Sequence, residues 1–193
     1  PDETVSIRIS SFSECNNLKR LNSSEDGVFN IPQGIAMISD YAFYKCTLAS
    51  KIILGEETTY IGSYSFADCS LVDSFNSDSL TTLSVPASCY EIGSYAFRDM
   101  ALITNVVVSD SVENIGVGAF KGFNSLESIT LPFVGTSDGA TGYSSVFGYI
   151  FGFDSTSSGW LNGSNITNPV SDQFVNTKYG TVTDAVWGYT QTT

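Results

Sequence analysis

The sequence contains no histidine, and this absence excludes much of enzyme chemistry. With none among 193 residues, the chain has no Ser-His-Asp or Cys-His catalysis, no imidazole base and no histidine metal site. Its four cysteines form no C-x-x-C pair, and no D-x-D-x-D-G run predicts a calcium loop. We therefore expect a non-catalytic protein without metal or cofactor. Carboxylate chemistry is the enzymatic alternative that the sequence leaves open.

Positive charge and long apolar runs are also scarce. The chain has 8 Lys+Arg against 20 Asp+Glu, a formal net charge of −12, and its cations are scattered along the sequence. A nucleic-acid partner is therefore not expected, since phosphate backbones repel such a surface. No run of about 18 apolar residues occurs, so we expect no membrane insertion in this segment. A start at Pro1 rather than Met suggests a mature protein or an excised fragment.

What the sequence does contain is an internal repeat. A six-residue corner that begins with Ile and ends with Phe recurs as Ile7–Phe12, Ile38–Phe43, Ile61–Phe66, Ile92–Phe97 and Ile115–Phe120. The offsets between successive copies are therefore 31, 23, 31 and 23. A basic period of 23, with an eight-residue insertion in two of the four intervals, accounts for all of these offsets.

Two further positions follow the same period. The third residue after each phenylalanine is apolar or soft: Cys15, Cys46, Cys69, Met100 and Phe123. An alternating, strand-like run that stops at Pro, Gly or Ser precedes each following corner or ends the series: Phe29–Pro32, Ile52–Gly55, Leu83–Pro86, Val106–Ser109 and Ile129–Pro132. We predict a leucine-rich-repeat solenoid of about five repeats, in which short strands form one parallel sheet and an irregular or short helical segment returns the chain.

The repeat unit resembles a known family. Its pattern, L-x-x-I-x-I-P-x-x-V-x-x-I-G-x-x-A-F-x-x-C, is written here by Leu80, Leu83, Val85, Pro86, Cys89, Ile92, Gly93, Ala96 and Phe97. It is similar to the BspA-like, or Treponema pallidum-type, leucine-rich repeat over about residues 5–135. The resemblance implies a solenoid found mostly in bacterial cell-surface and secreted proteins, and in some surface proteins of mucosal protists, which often acts in adhesion. An extracellular or cell-surface location and a protein or glycan partner at a surface or matrix follow from it as expectations.

Composition divides the chain into two parts. The repeat occupies residues 1–132, whereas residues 133–193 lose the period and hold 11 of the 25 aromatic residues and 9 of the 17 glycines. This mixture predicts irregular or β structure rather than helix. The segment is interpreted either as a cap or insertion that covers the end of the solenoid, or as a contact surface of exposed aromatic side chains.

Two rows of residues are candidates for binding. One row points away from the core at the middle of each strand, on what we expect to be a concave sheet: Asn30, Ile53, Ser84, Val107 and Thr130. The other row is Tyr41, Tyr64 and Tyr95, at the fourth place of the corner. These tyrosines form either a ligand platform or packing between neighbouring rungs. Open solenoid ends leave self-association into a filament, sheet or coat as the alternative function.

The cysteine slot offers a further choice. Adjacent rungs lie close enough for a disulfide between Cys46 and Cys69. Buried free thiols are the favoured interpretation, because Met100 and Phe123 occupy the same slot and cannot form a disulfide.

Overall fold

The structure, a computed structural model, describes residues 5–140, 144, 147–152, 174–177 and 180–182. Two sheets run along the chain. Sheet A contains, in order, β1 (Ser6–Ile7), β3 (Met37–Ile38), β5 (Tyr60–Ile61), β8 (Glu91–Ile92) and β10 (Asn114–Ile115). Sheet B contains, in order, β2 (Val28–Asn30), β4 (Lys51–Ile53), β6 (Ser74–Phe75), β7 (Thr82–Ser84), β9 (Asn105–Val107), β11 (Ser128–Leu131), β12 (Phe174–Thr177) and β13 (Gly180–Val182).

All of these neighbours pair in parallel except β12 and β13, which are antiparallel. The expectation of a single parallel sheet is therefore wrong. The Ile corners themselves pair between turns, for example Ile38 with Ile61 and Ile61 with Ile92, so each turn of the solenoid contributes a strand to both sheets. The leucine-rich-repeat solenoid itself is confirmed.

The return segment between the two sheets consists of turns. Its backbone also forms a ladder, because Phe43 N–H donates to Ser65 O at 2.7 Å and Phe66 N–H donates to Ala96 O at 2.9 Å. The chain can leave strand geometry here without leaving buried polar groups unpaired, because alternate N–H groups donate to carbonyls of the next turn and those between them donate within their own turn.

The core consists of the slots that recur in the sequence. From the second turn onward the Ile, Phe and Cys/Met/Phe positions are all buried, with at most 1% of each side chain exposed. The phenylalanine rings of successive turns stack: Phe43 on Phe66 at 5.3 Å, Phe66 on Phe97 at 6.2 Å and Phe97 on Phe120 at 5.7 Å between centroids. Stacking in register explains why each of these slots holds an apolar or soft residue.

The two eight-residue insertions do not loop out between turns. In the second, β6 lies between β4 and β7, so that Phe75 pairs with Ile52 on one side and Leu83 on the other. In the first, Leu21 forms a parallel bridge with Phe29, eight residues later. Each insertion therefore adds a rung to sheet B that has no counterpart in sheet A.

Both insertions have the same backbone geometry. Asn22 and Asn76 follow the extra rung with φ of 47° and 48°, the left-handed region that asparagine tolerates better than most residues. Five residues later Gly27 and Thr81 again have positive φ, and their N–H groups donate to Lys19 O and Asp73 O, each at 2.6 Å. The chain thus turns back over sheet B and restarts a parallel strand beside the one it has left.

Part of the C-terminal segment covers the last turn. Gly118 N–H donates to Tyr149 O and Phe120 N–H donates to Ile150 O, both at 2.9 Å, and Phe151 is buried against the core. This segment includes a 3-10 helix, Phe147–Phe151. The division at residue 132 stays a prediction. The aromatic residues Phe153, Trp160, Trp187 and Tyr189, on which the contact-surface interpretation rests, lie outside the described residues.

Candidate binding surface

The predicted strand row lies along sheet B. Asn30 is in register with Ile53, and Ser84, Val107 and Thr130 are in register with one another. Val107 is 37% exposed, and the other four are half-buried. The structure therefore brings the five residues onto one sheet, as two groups with a gap between them.

Asn76 fills that gap, and the sequence reasoning missed it. It follows β6, the extra strand between Ile53 and Ser84. The signal for it was present, because Phe75 follows Ile52 by one full repeat period. This strand is missed when the repeat is measured only from one Ile corner to the next, because the 31-residue interval is then assigned a single strand in sheet B.

The extra strand also opens a cleft. In sheet B, β4 and β7 are two strand spacings apart, about 9.6 Å. In sheet A the strands that follow them, β5 and β8, are direct neighbours, about 4.8 Å apart. The connections at residues 54–59 and 85–90 therefore diverge toward sheet B, because β6 has no connection of its own to lie between them. We call the space between them the wedge cleft.

Asn76 lies at the wide end of the wedge cleft. Its side chain takes over one hydrogen bond that the backbone of an intervening connection would otherwise make. Its side-chain Oδ1 accepts a hydrogen bond from Leu54 N–H at 3.3 Å. At the equivalent position of another turn, Val85 N–H donates to a backbone carbonyl, Val107 O, at 2.8 Å. The Asn76 side-chain oxygen thus accepts from a backbone N–H that would pair with a backbone carbonyl if two ordinary turns were stacked here.

The narrow end of the wedge cleft is closed by hydrogen bonds between the two connections. Ser88 Oγ donates to Thr58 O at 2.6 Å, and Tyr90 N–H donates to Thr59 O at 3.0 Å. The cleft is open to solvent and has a volume of about 640 Å³. Its lining includes Leu54, Glu56, Asn76, Pro86, Ser88 and Val107.

A smaller cleft of about 380 Å³ adjoins it on the other side of Asn76. Lys51 and Asp78 line this space and form an ion pair, with Nζ and Oδ1 3.5 Å apart. Glu56 lines both clefts and is exposed. Among the residues that the structure describes, no cation pairs with the Glu56 carboxylate.

The tyrosine row forms a stack, which we call the tyrosine ladder. The rings of Tyr41 and Tyr64, and of Tyr64 and Tyr95, are each 4.9 Å apart between centroids and close to parallel. The far face of Tyr95 lies against Gly118, where a side chain would overlap the ring. Tyr64 and Tyr95 therefore offer ring edges and hydroxyls rather than open ring faces, which favours packing between rungs over a platform for stacking ligands.

Three cations lie beside the ladder, although they are scattered in the sequence. Arg98 lies over the Tyr64 ring at 5.6 Å and Lys121 over the Tyr95 ring at 5.9 Å, while Lys45 lies over Tyr44. Arg98 is also held by Asp68, with both carboxylate oxygens 2.8 Å from its Nη2. Burial first, and then the neighbouring tyrosines, raise the pKa of Tyr64 above its ordinary value.

All three tyrosines of the ladder have a positive φ of 56° to 57°, where a bulky residue is strained. We expect Tyr64→Gly to be more stable than Tyr64→Ala by about 1 kcal/mol, because both lose the stack but only glycine is at ease with this backbone. Urea unfolding followed by circular dichroism measures the difference. If Tyr64→Ala were instead the more stable variant, as is usual where φ is negative, the backbone at Tyr64 would not be strained.

The cysteines are free thiols, which resolves the choice left open by spacing. Cys46 and Cys69 are buried, and their Sγ–H groups donate to Phe12 O and Phe43 O at 3.1 and 3.2 Å. Burial raises the pKa of Cys46 to about 12 and also raises that of Cys69. Thiols held in this protonated form are poor nucleophiles.

Neither a metal cluster nor a membrane span stands out in the described part of the chain. No group of three or more Cys, Asp or Glu side chains is placed to hold a metal ion there. Within the same residues no helix has the length and apolar character that crossing a membrane requires.

Comparison with known proteins gives one family match. A model of the BspA type leucine-rich repeat region matches residues 1–74 and 72–145, with six copies. No curated protein matches the chain.

Several solved structures are similar in fold. A leucine-rich repeat protein of T. pallidum is 24% identical with a TM-score of 0.52, over 65% of this chain and 62% of that one. One from Bacteroides ovatus is 23% identical with a TM-score of 0.47, over 66% and 35%. A leucine rich cell surface protein from Faecalibacterium prausnitzii is 24% identical with a TM-score of 0.42, over 54% and 32%. The chain thus spans less than two thirds of the length of these proteins.

Proposed function

The chain belongs to the BspA-type leucine-rich repeat family, and from this premise we propose that it is a non-catalytic interaction module whose binding surface is sheet B. The observation that carries the proposal is the strand row with its two clefts. Outward side chains at regular spacing on a rigid sheet are the general means by which solenoid proteins present an extended binding surface. We argue the function from the residues of this surface, because the same fold serves many different functions.

The strand row has the character of a protein-binding surface. Val107 and Ile53 provide apolar contact area between polar neighbours such as Asn30, Ser84 and Thr130. An interface with apolar patches inside a polar rim is typical of specific complexes between proteins. The tyrosine ladder contributes less in this proposal, since the ring faces of Tyr64 and Tyr95 are already covered.

Adhesion at a cell surface is the setting that we propose for this module. The family resemblance implies extracellular or surface-attached proteins, and the excess of carboxylates keeps an extended stack in solution. The partner in this setting is a protein or a glycan of another cell or of its matrix.

A variant of the strand row tests the proposal. We expect Val107→Asp to weaken binding to a captured matrix protein or glycan by about tenfold or more, because it places a charge in the apolar part of the surface. The matched control is Leu102→Asp, which changes a 43% exposed side chain outside the strand row. Screening uses panels of immobilised extracellular-matrix proteins and glycan arrays, with thermal melting as a check on folding. Equal binding by both variants would remove sheet B from the proposal.

Self-association is the second candidate, and one observation favours it. At the first turn Ile7, Phe12, Cys15, Leu18 and Leu21 are only partly buried against the core, although Phe12 has the same repeat position as the fully buried Phe43. A second copy that stacked on this end would cover them. Light scattering of the same samples distinguishes the candidates, because a monomer at high concentration contradicts assembly.

A further inference from the structure

We propose that the wedge cleft binds a basic side chain, arginine or lysine, of the partner protein. This inference rests on the proposed function of sheet B and specifies what one part of that surface recognises. It follows from the shape of the cleft, from its charge and from the repeat positions of the residues that line it.

The shape suits one long side chain rather than a flat ring. The cleft is wide at sheet B and closes where Ser88 Oγ meets Thr58 O. Its walls include Leu54 and Pro86, both buried, and Val107 lies at its mouth. Apolar walls accommodate the methylene stem of an arginine or lysine, whose charged head needs polar partners. No aromatic side chain among the described residues lines the cleft, so a planar ligand finds no ring there for stacking.

The charge of the cleft selects a cation. Glu56 lies on one connection and projects its carboxylate at the rim, with no positive partner in the described part of the chain. The equivalent residue on the opposite connection is Ala87, which leaves the cleft open. Neutral oxygens of Ser84, Ser109 and Asn76 line the same space. A single carboxylate with neutral acceptors suits a guanidinium or ammonium group and does not provide the several carboxylates that a calcium ion requires.

Repeat comparison shows that this arrangement is specific to one place. The residues at the position of Glu56 in the other turns are Gln33, Ala87 and Asp110. Asp110 carries the same charge, but the strands on either side of it, β9 and β11, are direct neighbours in sheet B. No extra strand separates them, and Asp110 does not line the wedge cleft. Asp110 is therefore a matched control for Glu56, with equal charge and equivalent repeat position.

The test is a titration monitored by nitrogen-15 NMR, with N-acetyl-arginine amide as the probe and N-acetyl-citrulline amide as its neutral counterpart. We expect the arginine probe to shift the backbone amides of Leu54, Gly55, Glu56 and Ser88, with a dissociation constant on the order of millimolar for so small a ligand. Citrulline should bind about tenfold more weakly, because it lacks the charge that strengthens the hydrogen bond to a carboxylate.

Three variants make the result decisive. Glu56→Gln should weaken arginine binding about tenfold, whereas Asp110→Asn should leave it within about twofold. Ala87→Lys, which supplies a cation from the opposite wall, should abolish the shifts. The remaining amide resonances report that each variant is folded. Equal binding of citrulline and arginine, or equal effects of the Glu56 and Asp110 variants, would overturn the proposal.

Failure of the basic-side-chain proposal can be distinguished from failure of the proposal that sheet B is the binding surface. If a matrix partner loses affinity for Val107→Asp but not for Glu56→Gln, sheet B remains the binding surface and the basic side chain is excluded. If neither variant affects a confirmed partner, the proposed function itself fails.

Discussion

Replacing Gly93 by alanine is expected to lower the free energy of unfolding by about 3 kcal/mol, the upper end of the usual cost of overpacking. A Cβ at this position would lie 2.6 Å from the carbonyl carbon of Gly62 and would also overlap the backbone of Ser63. Gly116 meets the same obstacle one turn later, 2.6 Å from the carbonyl carbon of Gly93. These corners approach through backbone, which cannot move aside as a flexible side chain does, so the stack must separate locally. Urea unfolding followed by circular dichroism measures the loss.

Ser39 provides the control for Gly93. It occupies the same place in an earlier corner and already carries a Cβ, so Ser39→Ala should change the free energy of unfolding by less than about 1 kcal/mol. A Gly93→Ala variant as stable as the Ser39→Ala variant would show that neighbouring turns have room to separate at the corner. The close approach would then not be what requires glycine.

Replacing Phe66 by alanine is expected to cost about 3 to 5 kcal/mol of unfolding free energy. The Phe66 ring stacks between Phe43 and Phe97 and meets the edge of Phe75 at 5.0 Å. All four rings are fully buried. Removal leaves a cavity bounded by three turns and by the extra strand, and ladders of backbone hydrogen bonds resist its collapse. Thermal and urea unfolding both report the change.

Phe12→Ala is the matched control, since Phe12 has the same repeat position at the partly exposed first turn. Its ring contacts Phe43 at 5.1 Å, and the side chain is only partly buried. The loss should be about 1 to 2 kcal/mol, in proportion to the smaller apolar area removed from contact. Equal losses for the two variants would indicate that the first turn is covered in solution, as the self-association candidate requires.

The repeat made most of the fold predictable from sequence. A slot that recurs in register, such as Phe43, Phe66 and Phe97, can be filled only by similar side chains when turns stack, and the sequence preserves that regularity. The prediction of a single sheet failed because an Ile corner of six residues looks like a turn. Its strand is only two residues long and forms only because the neighbouring corners pair with it.

The proposed binding surface was predictable from sequence only in part. Alternation within each strand correctly placed Ser84 and Val107 side by side, but Asn76 and the wedge cleft depend on where the insertion enters the sheet. The position of each basic residue within its turn also decides which charges lie side by side on the folded surface. Lys45, Arg98 and Lys121 come from three different repeats of the sequence, yet each lies over a tyrosine ring along one corner of the solenoid. A linear view of composition cannot detect such an alignment.

The extra strand of sheet B also has a consequence for the course of the solenoid axis. One sheet gains a strand spacing of about 4.8 Å where the opposite sheet gains none, and packed sheets lie about 10 Å apart. With these typical spacings, the axis is expected to turn toward sheet A by about 25° at β6. On this local bend the strand row lies on the outer side rather than on the expected concave face. Insertions of eight residues would act as angular joints, so that their number and position along a repeat array set the direction in which it points.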